Sequence, residues 1–352
     1  MREKIVALIV CLIIFAVVLS FAISTAVRSS TRPAADKTPA ADKKIPTPAE
    51  QPTIQPSPQI ELLPALPPAP VKKHRFKSTD HPSYTADFDF SKRKLLPAAL
   101  AKTPLKAGIL VDLDTRQVIW EKNSNQGVPI ASLTKLLTIY TAFEELERKN
   151  DIDLNTRVTV STECTLTAPV KIKLRPGEKV RLHELFLYSM LKSANDAAHL
   201  IAEYFGNGDS NEFIKLMNRK ASAINMTSAK FHNANGLPIY DKKTTDARMN
   251  IASCHDMVKL IERIYDYPMI LRYTSCREKN SRHGNLRNGN QLLGKVKGME
   301  GLKTGYTNAA GHCLAFSCRR GNRRLAGVVT GFSKRQNCFA FTAKLLEWGF
   351  KN

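Results

Sequence analysis

A serine stands one helical turn ahead of a lysine in the stretch PIASLTKLLT, which runs from Pro129 to Thr138. Side chains three residues apart share one face of a helix, so we expect the Lys135 amine within reach of the Ser132 hydroxyl. A buried lysine with a lowered pKa can accept the serine proton, whereas an exposed lysine cannot do so at neutral pH. The backbone N–H groups at a helix start can also bind an oxyanion. Ser132 and Lys135 are therefore a candidate nucleophile and base.

The same spacing also has an ordinary structural explanation. Serine is a favoured capping residue at the start of a helix. The chain repeats the spacing in Ser91-Lys-Arg-Lys94, inside a charged stretch with no other supporting feature. The pair taken alone therefore leaves both explanations open.

Two further short motifs, each present once, favour the catalytic explanation. Ser193-Ala-Asn195 falls between two predicted helices, and Lys303-Thr-Gly305 leads into the last predicted hairpin. Separately, they could be a polar turn between helices and a glycine turn before a strand. An SxxK motif, a second serine motif and KTG, in this order, are together the signature of penicillin-binding proteins and serine β-lactamases.

Hydrophobic periodicity and turn residues predict the elements that must position these motifs. Two strands around a short turn are expected in AGILVDLD and QVIWEKN. Helical spacing predicts a helix from Ser132 to about Asn150, two helices interrupted between Ser193 and Asp196, and another in NEFIKLMNRKASAI. HCLAFSCRR and RRLAGVVTGF predict a second hairpin, and FAFTAKLLEWGF a final helix. Pairing of the early and late strands would give an α/β domain with a helical insertion.

The first 80 residues differ in composition from the remainder. Residues Ile5 to Val27 carry no charge and are long enough to span a bilayer. A cleavable signal peptide, with Ser24-Thr25-Ala26 at its cleavage site, is the alternative; we favour an uncleaved anchor over 1–27 because signal-peptide cores are shorter. Residues 28–80 contain eleven of the nineteen prolines and are predicted to form an extended spacer or a disordered linker. The ordered domain is expected over 81–352.

The formal net charge of +22 favours an anionic partner: nucleic acid, acidic lipid or a cell-wall polymer. The basic stretch CRRGNRR has no interleaved aromatic residues, so we predict no nucleic-acid binding and a solvated or wall-facing surface. The seven cysteines form no CxxC pair and the eight histidines no HExxH motif, so neither a metal nor a cofactor is predicted. Disulfides remain open, except that Cys313 and Cys318 could not bridge along one strand, where five residues span roughly 16 Å.

The chain from about residue 95 to 352 resembles the D-alanyl-D-alanine carboxypeptidases, which are low-molecular-mass penicillin-binding proteins. The resemblance extends beyond the three motifs to the segments ILVDLDTRQVIWEKN, LKSANDAAHLIAEY, FIKLMNRKA, NANGLP, ASCHDM, NGNQLL and GLKTGYTNAAGHCLA. It implies a β-lactamase/transpeptidase-like α/β fold, in which helices flank an antiparallel sheet and form a helical subdomain.

The resemblance implies a catalytic role for four residues. Ser132 would attack the carbonyl of the penultimate D-alanine of a peptidoglycan stem peptide and release the terminal D-alanine. Lys135 would be its base, and Ser193 would relay a proton to the leaving amine. Asn195 would hydrogen-bond both the substrate amide and Lys135.

The resemblance also implies a substrate-binding strand. Lys303 would attract the terminal carboxylate and Thr304 would donate a hydrogen bond to it. Gly305, which lacks a Cβ, would let the substrate lie alongside as an added strand. The backbone N–H groups of Ser132 and Tyr306 would form the oxyanion hole. β-Lactams would acylate Ser132 by mimicking the D-Ala-D-Ala end.

Some features depart from the family pattern. Thr115-Arg116 stands where the family hairpin usually has Thr-Gly, and Asn235 replaces a family histidine, so the latter position is assigned no role. Many relatives continue into a β-rich second domain and a C-terminal anchor. We therefore expect the N-terminal segment to attach this chain to the bacterial inner membrane, with the catalytic domain outside the cytoplasm, or the protein to be secreted if that segment is cleaved.

Other activities use the same motifs. A DD-endopeptidase would cleave cross-links with the same groups, and a serine β-lactamase would differ mainly in faster hydrolysis of the acyl-enzyme. No clear deacylating-glutamate motif of the class A β-lactamases is present. A catalytically inactive wall-binding protein is the remaining alternative, although the intact motif residues argue against it.

Overall fold

Strands from the two ends of the domain form one antiparallel sheet in the computed structural model, which describes residues 87–241 and 246–352. The strands are β1 (Ala107–Asp112), β2 (Gln117–Lys122), β3 (Val128–Pro129), β4 (Arg157–Thr159), β5 (Lys179–Arg181), β6 (Ile239–Tyr240), β7 (Ala247–Arg248), β8 (Ile251–Ala252), β9 (Glu278–Ser281), β10 (Gly284–Arg287), β11 (Met299–Thr307), β12 (Gly311–Arg320) and β13 (Arg323–Phe332). The main sheet has the order β11-β12-β13-β1-β2, and the other strands pair in two-stranded ribbons. The predicted pairing of early and late strands is confirmed.

Helices lie on both faces of this sheet. They are α1 (Ala98–Ala101), α2 (Thr134–Arg148), α3 (Thr162–Thr165), α4 (Leu182–Leu187), α5 (Asn195–Phe205), α6 (Ser210–Ala223), α7 (Cys254–Ile264), α8 (Pro268–Ser275) and α9 (Arg335–Lys351). The helices predicted around residues 132–150, 181–206, 211–224 and 339–350 are all present. The α/β fold with a helical subdomain is thereby confirmed.

Strand β1 shows how the sheet divides the core. All six of its residues are buried because helices cover both faces, and its apolar sequence fits that position. Ile109 and Val111 belong to the hydrophobic cluster of the helical block. Leu110, which points to the opposite face, belongs to a second cluster with residues of α9 such as Leu345. The sheet thus separates the hydrophobic core of the helical subdomain from the cluster formed with the C-terminal helix α9.

Two local features differ from the sequence-based expectation. Ser132 lies in a 3₁₀ turn, Ala131–Leu133, and the regular helix begins at Thr134. Ile130 and Leu133 are the N-caps of these two segments, so Ser132 is not a helix cap. The helix predicted up to residue 193 ends at Leu187 and continues as a π-helical turn, Tyr188–Lys192.

The cysteines and the basic hairpin tip can also be compared with expectation. Cys313 and Cys318 both lie on β12, as predicted, and the six cysteines within the described ranges are free thiols. The tip is not simply a solvated basic surface, because three of its arginines form ion pairs. These pairs are Arg320–Glu347, Arg323–Asp112 and Arg324–Glu300.

The helices between residues 87 and 241 and between 246 and 352 include none that is both long and apolar enough to cross a membrane. The predicted anchor (1–27) and linker (28–80) lie outside the described residues, so both remain predictions, as does the domain boundary at residue 81.

Candidate active site

The turn that carries Ser132 is enclosed by two glycines from distant parts of the chain. Ala131, immediately before the serine, adopts a left-handed conformation with φ 47°. A Cβ on Gly236 would lie 2.0 Å from the Ala131 carbonyl oxygen, and a Cβ on Gly305 would lie 3.2 Å from the Ser132 nitrogen. Only glycine permits such a close approach at position 236, and at position 305 a Cβ would crowd the turn and displace it by a few tenths of an ångström. The surrounding backbone therefore fixes the turn that carries Ser132, with Ala131 in a left-handed conformation that is rare for alanine.

Lys135 connects three segments of the chain. Its Nζ lies 3.1 Å from Ser132 Oγ, 2.8 Å from Asn195 Oδ1 and 2.6 Å from the carbonyl oxygen of Asn235. The predicted proximity of serine and lysine is thus present.

The environment of Lys135 favours its neutral form. The side chain is 0% exposed. Burial lowers its pKa well below the ordinary value, the charge of Lys303 lowers it further, and the charge of Asp196 opposes this shift. A neutral amine at hydrogen-bond distance from a hydroxyl can accept its proton, which is the chemistry expected of a general base.

The second motif contributes a left-handed residue and an oriented amide. Ser193 has φ 60° and ends the π-helical turn, and α5 begins two residues later at Asn195. Asn195 Nδ2 donates to the Ala168 carbonyl oxygen at 3.1 Å, so its Oδ1 faces Lys135. The hydrogen bonds thus join Ser132, Lys135 and Asn195, whereas Ser193 is not a member of that network among the described residues.

The third motif lies on β11, which is an edge strand of the main sheet. Lys303 is 2% exposed and its Nζ donates to the Thr304 carbonyl oxygen at 3.0 Å. Burial and the nearby charge of Arg335 lower the pKa of Lys303 to about 7. Gly305 lies against the Ser132 turn, while Tyr306 is 54% exposed. An edge strand can accept a further extended segment by hydrogen bonding.

The structure also shows site residues that sequence reasoning missed. Arg335, the first residue of α9, donates from Nη2 to the Gly289 carbonyl oxygen at 2.6 Å. Gly289 itself abuts Thr304, since a Cβ there would lie 2.7 Å from Thr304 Oγ1. Asn235 accepts a hydrogen bond from Lys135 through its backbone oxygen. The type of residue at position 235 could not have predicted this contact, because every residue has a backbone oxygen. Arg335 carried no signal either, because it belongs to none of the three motifs.

The exposed ring of Tyr306 stacks on His312, its partner across β11 and β12, with ring centroids 4.4 Å apart. The pair thus joins the KTG strand β11 to β12 directly after the motif. Within the described ranges, no group of three or more histidine, cysteine, aspartate or glutamate side chains could hold a metal ion.

Comparison with known proteins places this geometry in a family. A family model for D-alanyl-D-alanine carboxypeptidases (peptidase S11) matches residues 98–334. The D-alanyl-D-alanine carboxypeptidase DacF of Bacillus subtilis is 32% identical over 250 residues, which are 70% of this chain and 62% of the relative. The D-alanyl-D-alanine endopeptidase of Escherichia coli is 28% identical over 249 residues, which are 69% of this chain and 76% of the relative.

Solved structures agree with this placement. Penicillin-binding protein D2 from Listeria monocytogenes, in its ampicillin-bound form, matches with a TM-score of 0.62 and 27% identity over 70% of this chain and 97% of that one. This chain spans only 62% and 61% of the length of two curated carboxypeptidases that it matches, DacF and the Escherichia coli DacC. The family match nevertheless includes all three motifs and most of the described fold, and the chain belongs to the D-alanyl-D-alanine carboxypeptidase family.

Proposed function

We propose that this protein is a serine-type D-Ala-D-Ala carboxypeptidase that removes the terminal D-alanine from peptidoglycan stem peptides. One observation carries the proposal: the fully buried Lys135 amine lies 3.1 Å from Ser132 Oγ. A buried amine with a lowered pKa is suited to activating a serine and unsuited to a merely structural role, because burial of a lysine is costly. Membership of the family supports the same activity.

The reaction would proceed through an acyl-enzyme. Neutral Lys135 takes the Ser132 proton while Oγ attacks the carbonyl carbon of the penultimate D-alanine. The backbone N–H groups of Ser132 and Tyr306 hold the oxyanion of the tetrahedral intermediate. The C–N bond then breaks, and the leaving D-alanine amine receives a proton through Ser193 or Lys135. Water finally hydrolyses the ester on Ser132 and restores the hydroxyl.

Substrate recognition would rest on β11 and on the cations beside it. The peptide would lie antiparallel to β11, with its terminal carboxylate near Lys303, Thr304 and Arg335. Protonated Lys303 and the Arg335 guanidinium both attract a carboxylate, and Thr304 Oγ1 can donate to it. Gly305 leaves room for the substrate backbone, and Asn195 Nδ2 or Oδ1 can contact the substrate amide.

β-Lactams would acylate the same serine. Ampicillin-bound and cefotaxime-bound forms of the Listeria penicillin-binding protein D2 support this extension, as similar structures with bound drug. The two other enzymatic readings remain as alternatives. The endopeptidases among the relatives support cleavage of cross-links, and rapid turnover of the drug would indicate a β-lactamase.

We further propose that the catalytic domain lies outside the cytoplasm of a bacterium and that residues 1–27 attach it to the inner membrane. The uncharged run from Ile5 to Val27 and the extracytoplasmic location of peptidoglycan support this location. Expression of the full chain followed by membrane fractionation tests it: recovery of the full-length protein in the membrane fraction is expected, and a soluble, shortened product would indicate cleavage.

The activity is tested with a tripeptide ending in D-Ala-D-Ala and with a cross-linked peptide dimer, each incubated with wild type and with Ser132→Ala. We expect release of free D-alanine from the tripeptide by wild type only. Faster cleavage of the dimer than of the tripeptide would indicate an endopeptidase instead. Absence of turnover of either substrate and of any β-lactam adduct, with folded wild-type protein, would favour the inactive wall-binding alternative.

A further inference from the structure

Asp196 is a buried carboxylate directly beside the second motif. It is 0% exposed. Its Oδ1 accepts the N–H of Ile172 at 3.1 Å, and its Oδ2 accepts those of Lys173 at 2.9 Å and Leu174 at 3.3 Å. A buried carboxylate is tolerated only when such donors compensate for the lost water. These hydrogen bonds fasten residues 172–174 to the first turn of α5.

The same loop also holds Asn195. Val170 accepts the Asn195 backbone N–H through its carbonyl oxygen at 2.8 Å, and Ala168 accepts Nδ2 at 3.1 Å. Because Nδ2 is directed to Ala168, the amide oxygen is directed to Lys135 Nζ, at 2.8 Å. The position of residues 168–170 therefore decides which end of the amide faces Lys135.

We infer that Asp196 is a positioning residue for acylation, which fixes the 168–174 loop against α5 and thereby the Asn195 amide and the Lys135 amine. This inference rests on the proposed function, because it assigns Asp196 a role in the acylation of Ser132. Asp196 touches neither Ser132 nor, in the proposed pose, the substrate. Its effect passes through the loop and through Asn195.

The charge of Asp196 has a second consequence. Burial, one lysine and one acid determine the charge state of the Lys135 amine: burial and Lys303 on β11 lower the pKa of Lys135, and Asp196 on α5 raises it. Asp196 also acts on the Cys164 thiol of α3, whose pKa is raised mainly by burial to about 11, so this thiol stays neutral near pH 7. Removing the Asp196 charge should lower the pKa of Lys135 further.

The test is the second-order rate constant for acylation by a fluorescent penicillin between pH 5 and 9. We expect Asp196→Asn to acylate on the order of 10²-fold more slowly, as for a small misplacement of catalytic groups. Its acid limb should move to lower pH. The control, Glu203→Gln, changes a mostly buried carboxylate on the same helix that accepts a hydrogen bond from Ser161 Oγ at 2.6 Å. It should leave rate and pH profile unchanged.

A double-mutant cycle with Asn195→Ala separates positioning from general stabilisation. If Asp196 acts through Asn195, adding Asp196→Asn to Asn195→Ala should cost little more. Fully additive losses, or a wild-type rate and pH profile in Asp196→Asn, would overturn the inference. If thermal unfolding shows that Asp196→Asn does not fold, Ile172→Pro, which removes one of the three donors from the loop, replaces it in the rate measurement and in the double-mutant cycle. Because Ile172→Pro keeps the Asp196 charge, its acid limb should stay in place, and a wild-type acylation rate would overturn the inference. Unlabelled wild type would instead refute the proposed function.

Discussion

Lys135 Nζ lies 3.1 Å from Ser132 Oγ, although the serine belongs to a 3₁₀ turn and the lysine to the first turn of α2. The amine is also fully enclosed. Such burial lowers the pKa of Lys135 and costs folding free energy that a surface lysine would not cost. A protein that keeps a lysine there gives up stability for reactivity.

Replacement of Lys135 by arginine tests the base directly. Arginine stays protonated in proteins and cannot accept the serine proton, so Lys135→Arg should slow acylation by about 10²- to 10⁴-fold. The chain supplies a matched control in its second SxxK sequence, where Lys94 donates to the Asn352 carbonyl oxygen at the surface. Lys94→Arg should acylate at the wild-type rate, and equal losses in both variants would contradict the assignment.

The pH dependence of substrate binding should report Lys303. Its pKa is lowered to about 7, and only its protonated form attracts the terminal carboxylate. The value of kcat/KM, which reports groups of the free enzyme, should therefore fall as the pH rises through about 7. Lys303→Arg keeps its charge, so this alkaline limb should move to distinctly higher pH. An alkaline limb that stays in place would assign it to another group.

Arg335 should contribute to recognition of the substrate carboxylate. We expect Arg335→Gln to reduce the preference for a D-Ala-D-Ala peptide over its C-terminal amide by about 10-fold, the scale of one hydrogen bond to a charged group. The substitution also removes a charge that lowers the pKa of Lys303, so the alkaline limb should shift upward. The C-terminal amide is the internal control. An unchanged ratio of kcat/KM values for the two peptides would exclude Arg335 from the carboxylate site.

Gly305 should be required for the geometry of the Ser132 turn. A methyl group there would lie 3.1 Å from the Ile130 carbonyl oxygen and 3.2 Å from the Ser132 nitrogen. Gly305→Ala should therefore slow acylation on the order of 10²-fold through displacement of the nucleophile. Gly321→Ala is a useful comparison, because Gly321 has φ 60° but faces open space at the hairpin tip. That variant should lose stability and keep the acylation rate; the reverse pattern would contradict the account.

The sequence predicted the elements and motifs better than the local geometry between them. Strand pairing and the helices follow from apolar periodicity, which a buried two-faced sheet requires. The left-handed residues Ala131 and Ser193 could not be predicted, because close packing of distant segments imposes them. The contact from Lys135 to the Asn235 carbonyl oxygen was equally hidden, since a backbone oxygen is present at every position. Arg335 reaches Gly289 and lies near Lys303 because α9 packs on the sheet, a tertiary contact that no local pattern indicates.

The most direct test of the central claim is intact-mass and peptide mapping after incubation with benzylpenicillin, for wild type and Ser132→Ala. We predict one penicilloyl adduct on wild type, located on the peptide that contains Ser132, and none on the alanine variant. An adduct that persists in Ser132→Ala, or that maps to another residue, would contradict the assignment of Ser132 as the nucleophile.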